Sequence, residues 1–168
     1  MSSSCKGLFG KEEKSGEEIK ADKAFLVKEG DFIYSRLFAR NGSFAVAGKK
    51  HDGYYVSNEF PTFELDTQIV LPDYLLLYFS LPSVWSYVET KCQGTTKASR
   101  FRFKENFFLN TQVPVPEIEI QEKIITLANN LKTLSEIQED AFKTQEGLFL
   151  SILASIFKED MNCNSLRQ

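Results

Sequence analysis

Residues 113–124 read Val-Pro-Val-Pro-Glu-Ile-Glu-Ile-Gln-Glu-Lys-Ile, and the organisation of the chain turns on them. Each proline fixes its own φ and pushes the residue before it away from the helical region. Val113–Pro116 is therefore a stiff extended segment that permits a helix only ahead of it. Ahead of it, Ile120, Ile124, Leu127, Leu131, Leu134, Gln138, Ala141, Gln145, Leu148, Ile152 and Ser155 follow one another in alternating steps of four and three. That is the a/d spacing of a coiled-coil seam, interrupted by the two glutamines, and it predicts a helix over Glu117–Lys158. Such a helix is about 63 Å long at about 1.5 Å per residue. Its apolar stripe calls for a second helix folded back on it, another chain, or the chain's own globule. Polar residues in such a seam fix register at some cost in stability.

Behind the prolines the period is different and the pattern is α+β. Phe25–Lys28 and Phe32–Arg36 flank Glu29-Gly30-Asp31 and predict a hairpin. Ser43–Ala47 and Gly53–Ser57 are expected as short strands on either side of the polar turn 48–52, and Phe60–Leu65 as another. Pro72 and Pro82 stand where helices begin, over Tyr74–Ser80 and Val84–Thr90. Gln93–Ser99 is a small-residue loop. Arg100–Phe103 alternates charge with Phe in the manner of an exposed strand.

The whole chain, 168 residues with 42% hydrophobic and 26% charged, is long enough to bury a real core. Fifteen Phe against six Tyr and one Trp favour a core of rings without polar handles. Cys5, Cys92 and Cys163 are far apart with no C-x-x-C, which argues against a structural zinc site or a disulfide framework and for a reducing, cytoplasmic setting. No apolar run suits a signal peptide or a membrane span. His51, the only histidine, lies between Lys50 and Asp52 in a turn and is expected to be exposed.

The net charge of −3 excludes a histone-like polycation, yet the basic residues are unevenly spread. Phe32–His51 holds Arg36, Arg40, Lys49 and Lys50 with no acid, and Thr90–Lys104 holds Lys91, Lys97, Arg100, Arg102 and Lys104 with no acid. Both windows carry turns rich in Gly, Asn, Ser and Thr. Backbone N–H groups and guanidiniums in such turns suit phosphates and base edges. A solvated charged face is the alternative.

Pro72-Asp73 followed by Glu89-Thr90-Lys91 superficially matches a metal-dependent nuclease pattern, in which two carboxylates hold Mg²⁺ and a lysine helps activate water. That site needs paired strands, whereas Asp73 opens a helix, where a carboxylate favours the unsatisfied N–H groups. The phosphate-binding glycine motifs and the Asn/Asp-Pro-Pro-aromatic stretch of adenine methyltransferases are missing. Catalysis by this chain is not expected.

Taken in order, Phe25–Arg36 with Ala39-Arg40-Asn41-Gly42, Gly53–Asn58 with Phe60-Pro61, Leu71–Leu75, Gly94-Thr95-Thr96 with Arg100 or Arg102, and Val113–Gln121 resemble the DNA-specificity subunit of type I restriction-modification systems. The likeness covers roughly residues 19–135. It implies a mixed-sheet target recognition domain followed by one long coiled-coil helix. The expected division is a polar N-terminal remnant (1–24), a recognition domain short at its N-terminus (25–116), a spacer and dimerisation helix (117–158) and a tail (159–168). A full subunit of this family holds two recognition domains apart on antiparallel helices, so one domain with one helix resembles a half-subunit.

The resemblance further implies double-stranded DNA as partner, modification subunits that methylate adenine, and a restriction subunit reached through the complex. No cofactor is implied for this chain; S-adenosylmethionine, ATP and Mg²⁺ belong to the partner subunits. The DNA face would comprise Arg36, Arg40, Asn41, Lys49, Lys50, Thr95, Thr96, Lys97, Arg100 and Arg102. Ile120, Ile124, Leu127, Leu131, Leu134, Leu148 and Ile152 would form the seam of a homodimer reading an inverted repeat. The alternative is a truncated interaction protein that binds partner subunits through its helix without reading DNA.

Overall fold

A computed structural model describes residues 4, 5, 7–9, 24–92 and 102–164, the last seven as backbone. The chain divides into two units, Met1–Ile125 and Thr126–Gln168. Among the described residues the first holds five short strands: β1 (Ala24–Leu26), β2 (Phe32–Tyr34), β3 (Phe44–Val46), β4 (Tyr55–Ser57) and β5 (Thr62–Phe63). Three helices follow them, α1 (Pro72–Phe79), α2 (Pro82–Lys91) and α3 (Glu105–Leu109). α4 runs Ile118–Asn164, 47 residues or about 70 Å at about 1.5 Å per residue, from the first unit into the second. The fold is α+β, a sheet domain followed by a long helix.

The strands form an antiparallel sheet in the order β3-β2-β5 and a separate antiparallel ribbon of β1 with β4. The expected β1–β2 hairpin is therefore not made. Its turn exists: Gly30 takes φ +88°, and the Asp31 carboxylate accepts from the Lys28 N–H at 2.9 Å. The turn instead hands the chain from one sheet to the other. The Val27 N–H donates to the Tyr54 carbonyl at 2.8 Å and the Gly53 N–H to the Val27 carbonyl at 3.0 Å, so β4 already occupies the edge that β2 would have needed. Ala47 closes the turn from the other side, accepting from the Gly30 N–H and donating to the Asp31 carbonyl.

β2 is the centre of the core. Phe32, Ile33 and Tyr34 are all 0% exposed, so both faces of this strand are covered. Successive side chains of a strand point to opposite faces. Phe32 and Tyr34 enter one cluster with Phe44, Phe79, Phe103 and Phe108, while Ile33 enters a smaller one with Val27 and Ala47. Ring centroids lie 4.6 Å apart for Phe44–Phe79 and for Phe63–Phe108, and 5.1 Å for Tyr34–Phe108. Tilted and offset pairs of this kind add about 0.5–1.5 kcal/mol each beyond area burial. The one polar handle, the Tyr34 hydroxyl, donates to the Phe103 carbonyl at 3.2 Å, and burial holds its proton well above the usual phenol range.

α1 and α2 start at Pro72 and Pro82 as the sequence predicts, with Asp73 in the first turn of α1. The segment expected as an exposed strand at Arg100–Phe103 is reduced, in its described part, to a single bridge at Arg102. Phe103 is 0% exposed, and its N–H donates to the Arg36 carbonyl at 2.8 Å. The aromatic core claims that ring, and α3 follows directly. His51 is also corrected: it lies buried at the end of a 3₁₀ turn (Lys49–His51), edge-on to Tyr54, with no partner for Nδ1 among the described residues.

Candidate nucleic-acid interface

Arg40 and Asn41 project from a 3₁₀ turn (Ala39–Asn41) that ends at Gly42, and both are exposed. Gly42 takes φ +69°, and a Cβ there would sit 2.4 Å from the Cε2 and Cζ2 atoms of Trp85. Only glycine meets both conditions, a left-handed backbone and an indole pressed against it. The indole is itself held, its Nε1–H donating to the Phe79 carbonyl at 2.6 Å. From the other side the Ser4 and Cys5 N–H groups donate to the carbonyls of Asn41 and Gly42 at 2.9 and 2.7 Å. The turn is thus clamped between α2 and the N-terminal segment.

The clamp brings the turn to the C-terminal end of α2. Burial raises the Cys92 thiol above its ordinary range, and the nearby Arg40 guanidinium works against that rise. Lys91 lies over the Tyr87 ring, 5.3 Å from its centroid. Burial also lifts the Cys5 thiol to about 11. Lys49 and Lys50 are exposed on the second 3₁₀ turn. Thr95, Thr96, Lys97 and Arg100 lie outside the described residues.

The other two arginines have different surroundings. Arg102 donates to both carboxylate oxygens of Glu59, from Nε at 3.1 Å and Nη2 at 2.8 Å, and this raises its pKa. Arg36 is ion-paired with Glu105. The backbone knits the two pairs together, since the Arg36 N–H donates to the Glu59 carbonyl at 3.0 Å. Glu59, Glu105 and Trp85 are the residues sequence reasoning missed. Local charge counting cannot reveal a carboxylate paired from 43 or 69 residues away.

Asp73 and Glu89 sit on helices, in the first turn of α1 and near the end of α2, so the paired-strand frame of the nuclease pattern is not formed. Among the described residues no group of three or more His, Cys, Asp or Glu is placed to hold a metal, and no helix is long and apolar enough to cross a membrane. Along α4 the predicted seam is uncovered in the single chain. Exposure runs from 39% at Ile124 through 42% at Ile120 and 50% at Ile152 to 62% at Leu134 and Leu148.

Three comparisons bear on this arrangement. A family model described as "Type I restriction modification DNA specificity domain" matches residues 7–144. The type I restriction enzyme HindI specificity subunit of Haemophilus influenzae is 27% identical over 134 residues, which are 78% of this chain and 28% of that protein. The crystal structure of the HsdS subunit from Thermoanaerobacter tengcongensis has the same fold, with a TM-score of 0.66 and 18% identity. That superposition covers 88% of this chain and 38% of the other. The chain thus spans well under half the length of either relative, while the family match takes in most of the globular unit and much of α4. On that match, the chain belongs to the type I restriction-modification DNA specificity domain family.

Proposed function

We propose that this chain reads one half of a bipartite double-stranded DNA site and directs partner subunits to it, without catalysis of its own. The observation that carries the reading is the match to the specificity domain across residues 7–144, which takes in most of the sheet domain and part of its helix. Further support is the clamped turn that presents Arg40 and Asn41, and the second 3₁₀ turn, on which Lys49 and Lys50 are exposed. Thr95, Thr96, Lys97 and Arg100 complete the proposed DNA face. Arg36 and Arg102, already engaged by carboxylates, brace it. In this reading the chain acts in the cytoplasm beside modification subunits that use S-adenosylmethionine to methylate adenine, and beside a restriction subunit that uses ATP and Mg²⁺.

The seam Ile120, Ile124, Leu127, Leu131, Leu134, Leu148 and Ile152 pairs two copies as a coiled coil. Two identical halves related by a two-fold axis read an inverted repeat, and the helix sets its spacing. One observation favours a second reading. The uncovered stripe of α4 suffices for partner binding whether or not the globular unit touches DNA, which would make the chain a competitor of intact specificity subunits.

A genome-wide map of methylated adenines, with and without this gene beside active modification subunits, tests the proposal. Loss of a bipartite inverted-repeat motif on deletion is the expected result. An unchanged map leaves the second reading in possession.

A further inference from the structure

Gln121 is the one buried polar side chain on α4 among the described residues, and it is 0% exposed. Its carboxamide makes three hydrogen bonds, all to main chain. Oε1 accepts from the Leu71 N–H at 2.9 Å, and Nε2 donates to the carbonyls of Ile69 at 2.9 Å and Pro116 at 2.7 Å. The Pro116 contact belongs to a series. The Tyr74 hydroxyl donates to the Pro114 carbonyl at 2.7 Å and the Tyr78 hydroxyl to the Gln112 carbonyl at 3.3 Å. Carbonyls 112, 114 and 116 belong to alternate residues of the segment that leads into α4. Two tyrosines one helical turn apart on α1, with Gln121 of α4, take all three.

This is more than a core needs. A leucine at 121 would bury apolar surface with no amide to satisfy, whereas a fully satisfied buried polar network admits one geometry and excludes its neighbours. What it fixes is the root of a long lever. A tilt of about 3° at the base of a helix about 70 Å long moves its far end by roughly 3.7 Å, about one base-pair step of 3.4 Å.

We infer that Gln121, with Tyr74 and Tyr78 behind it, is a positioning residue that sets how strictly the spacing between two half-sites is read. The inference rests on the DNA reading proposed above. Gln121 touches no DNA in it and acts through the attachment of α4.

The test uses the full chain and a pool of random-sequence duplexes, bound and sequenced over several rounds, with wild type beside Gln121→Met, which keeps the bulk and removes the hydrogen bonds. The expected result is one inverted repeat at one spacing for wild type, preferred over neighbouring spacings by about tenfold or more. For Gln121→Met we expect the same half-site sequence with that preference reduced to about threefold or less. A merely structural role lowers all binding together and leaves the ratio alone, so an unchanged spacing preference overturns the inference. Should Gln121→Met bind nothing, Tyr74→Phe, which removes a single hydroxyl, decides by the same ratio.

Deuterium exchange of the Leu71 N–H, measured without DNA, reads the latch itself. It is expected to quicken about tenfold in Gln121→Met, the equivalent of one buried hydrogen bond, and unchanged protection overturns the latch. A wild-type chain that enriches no duplex while the exchange result holds refutes the DNA reading, and the spacing role with it, but leaves the latch standing.

Discussion

Arg102 and Glu59 offer the sharpest test of a single contact. The pair is bidentate and part-exposed, at 43% and 32%, so solvent screens it but does not abolish it. Arg102→Glu sets two carboxylates against each other and is expected to lower unfolding free energy by about 1–2 kcal/mol in denaturant titration. The exchange Glu59→Arg with Arg102→Glu should restore most of that loss, and with it DNA binding. Restored stability without restored binding would return Arg102 to the DNA face. The sequence showed the arginines and their acid-free neighbourhood. It did not show that Glu59 and Glu105 reach them, because tertiary ion pairs obey no local spacing. His51 was misplaced for a related reason: a polar turn predicts exposure, yet a turn that bridges two sheets presses one side inward.

At the level of elements, legibility followed the reach of the physics. Pro72, Pro82 and the Pro114–Pro116 segment act within a residue or two of themselves, and all three helices they introduce are where they predict. The heptad row needs only its own period, and α4 extends past its predicted end. α3 escaped because Glu105–Leu109 is a single turn carrying two adjacent Phe, too short to show any period. Strand pairing escaped because the hairpin rule sees only the turn, while the edge of Val27 was settled by Tyr54. The seam makes its own prediction: Leu127→Lys with Leu131→Lys places four charges in a paired coil in place of four leucines, each worth about 1.5–3 kcal/mol when buried. Sedimentation should show self-association weakened by about a hundredfold or more, with the spectrum of the sheet domain unchanged. A dimer that survives the double change removes the seam from the account.

For the molecule as a whole, the ten proposed DNA contacts shrink to a smaller electrostatic footprint. Arg36 and Arg102 are paired with Glu105 and Glu59, and the five other proposed cations, Arg40, Lys49, Lys50, Lys97 and Arg100, are taken as the phosphate contacts. If each neutralises one phosphate, log K should fall against log salt with a slope of roughly −4 to −5 per chain. A slope near zero in a filter-binding or anisotropy titration would dismiss that face. The sequence made the two-part plan plain, since the change of period at the prolines is abrupt. Which bases the proposed face would read was never legible, because readout depends on which side chains converge on a groove and not on their order along the chain.

The strap at residues 112–116 has an evolutionary corollary. Tyr74, Tyr78 and Gln121 grip it by its carbonyl oxygens, which every amino acid carries. Mutations along the strap leave that grip unaltered so long as the backbone stays extended. A join written in main-chain atoms leaves the side chains of the strap free to vary without loss of the grip.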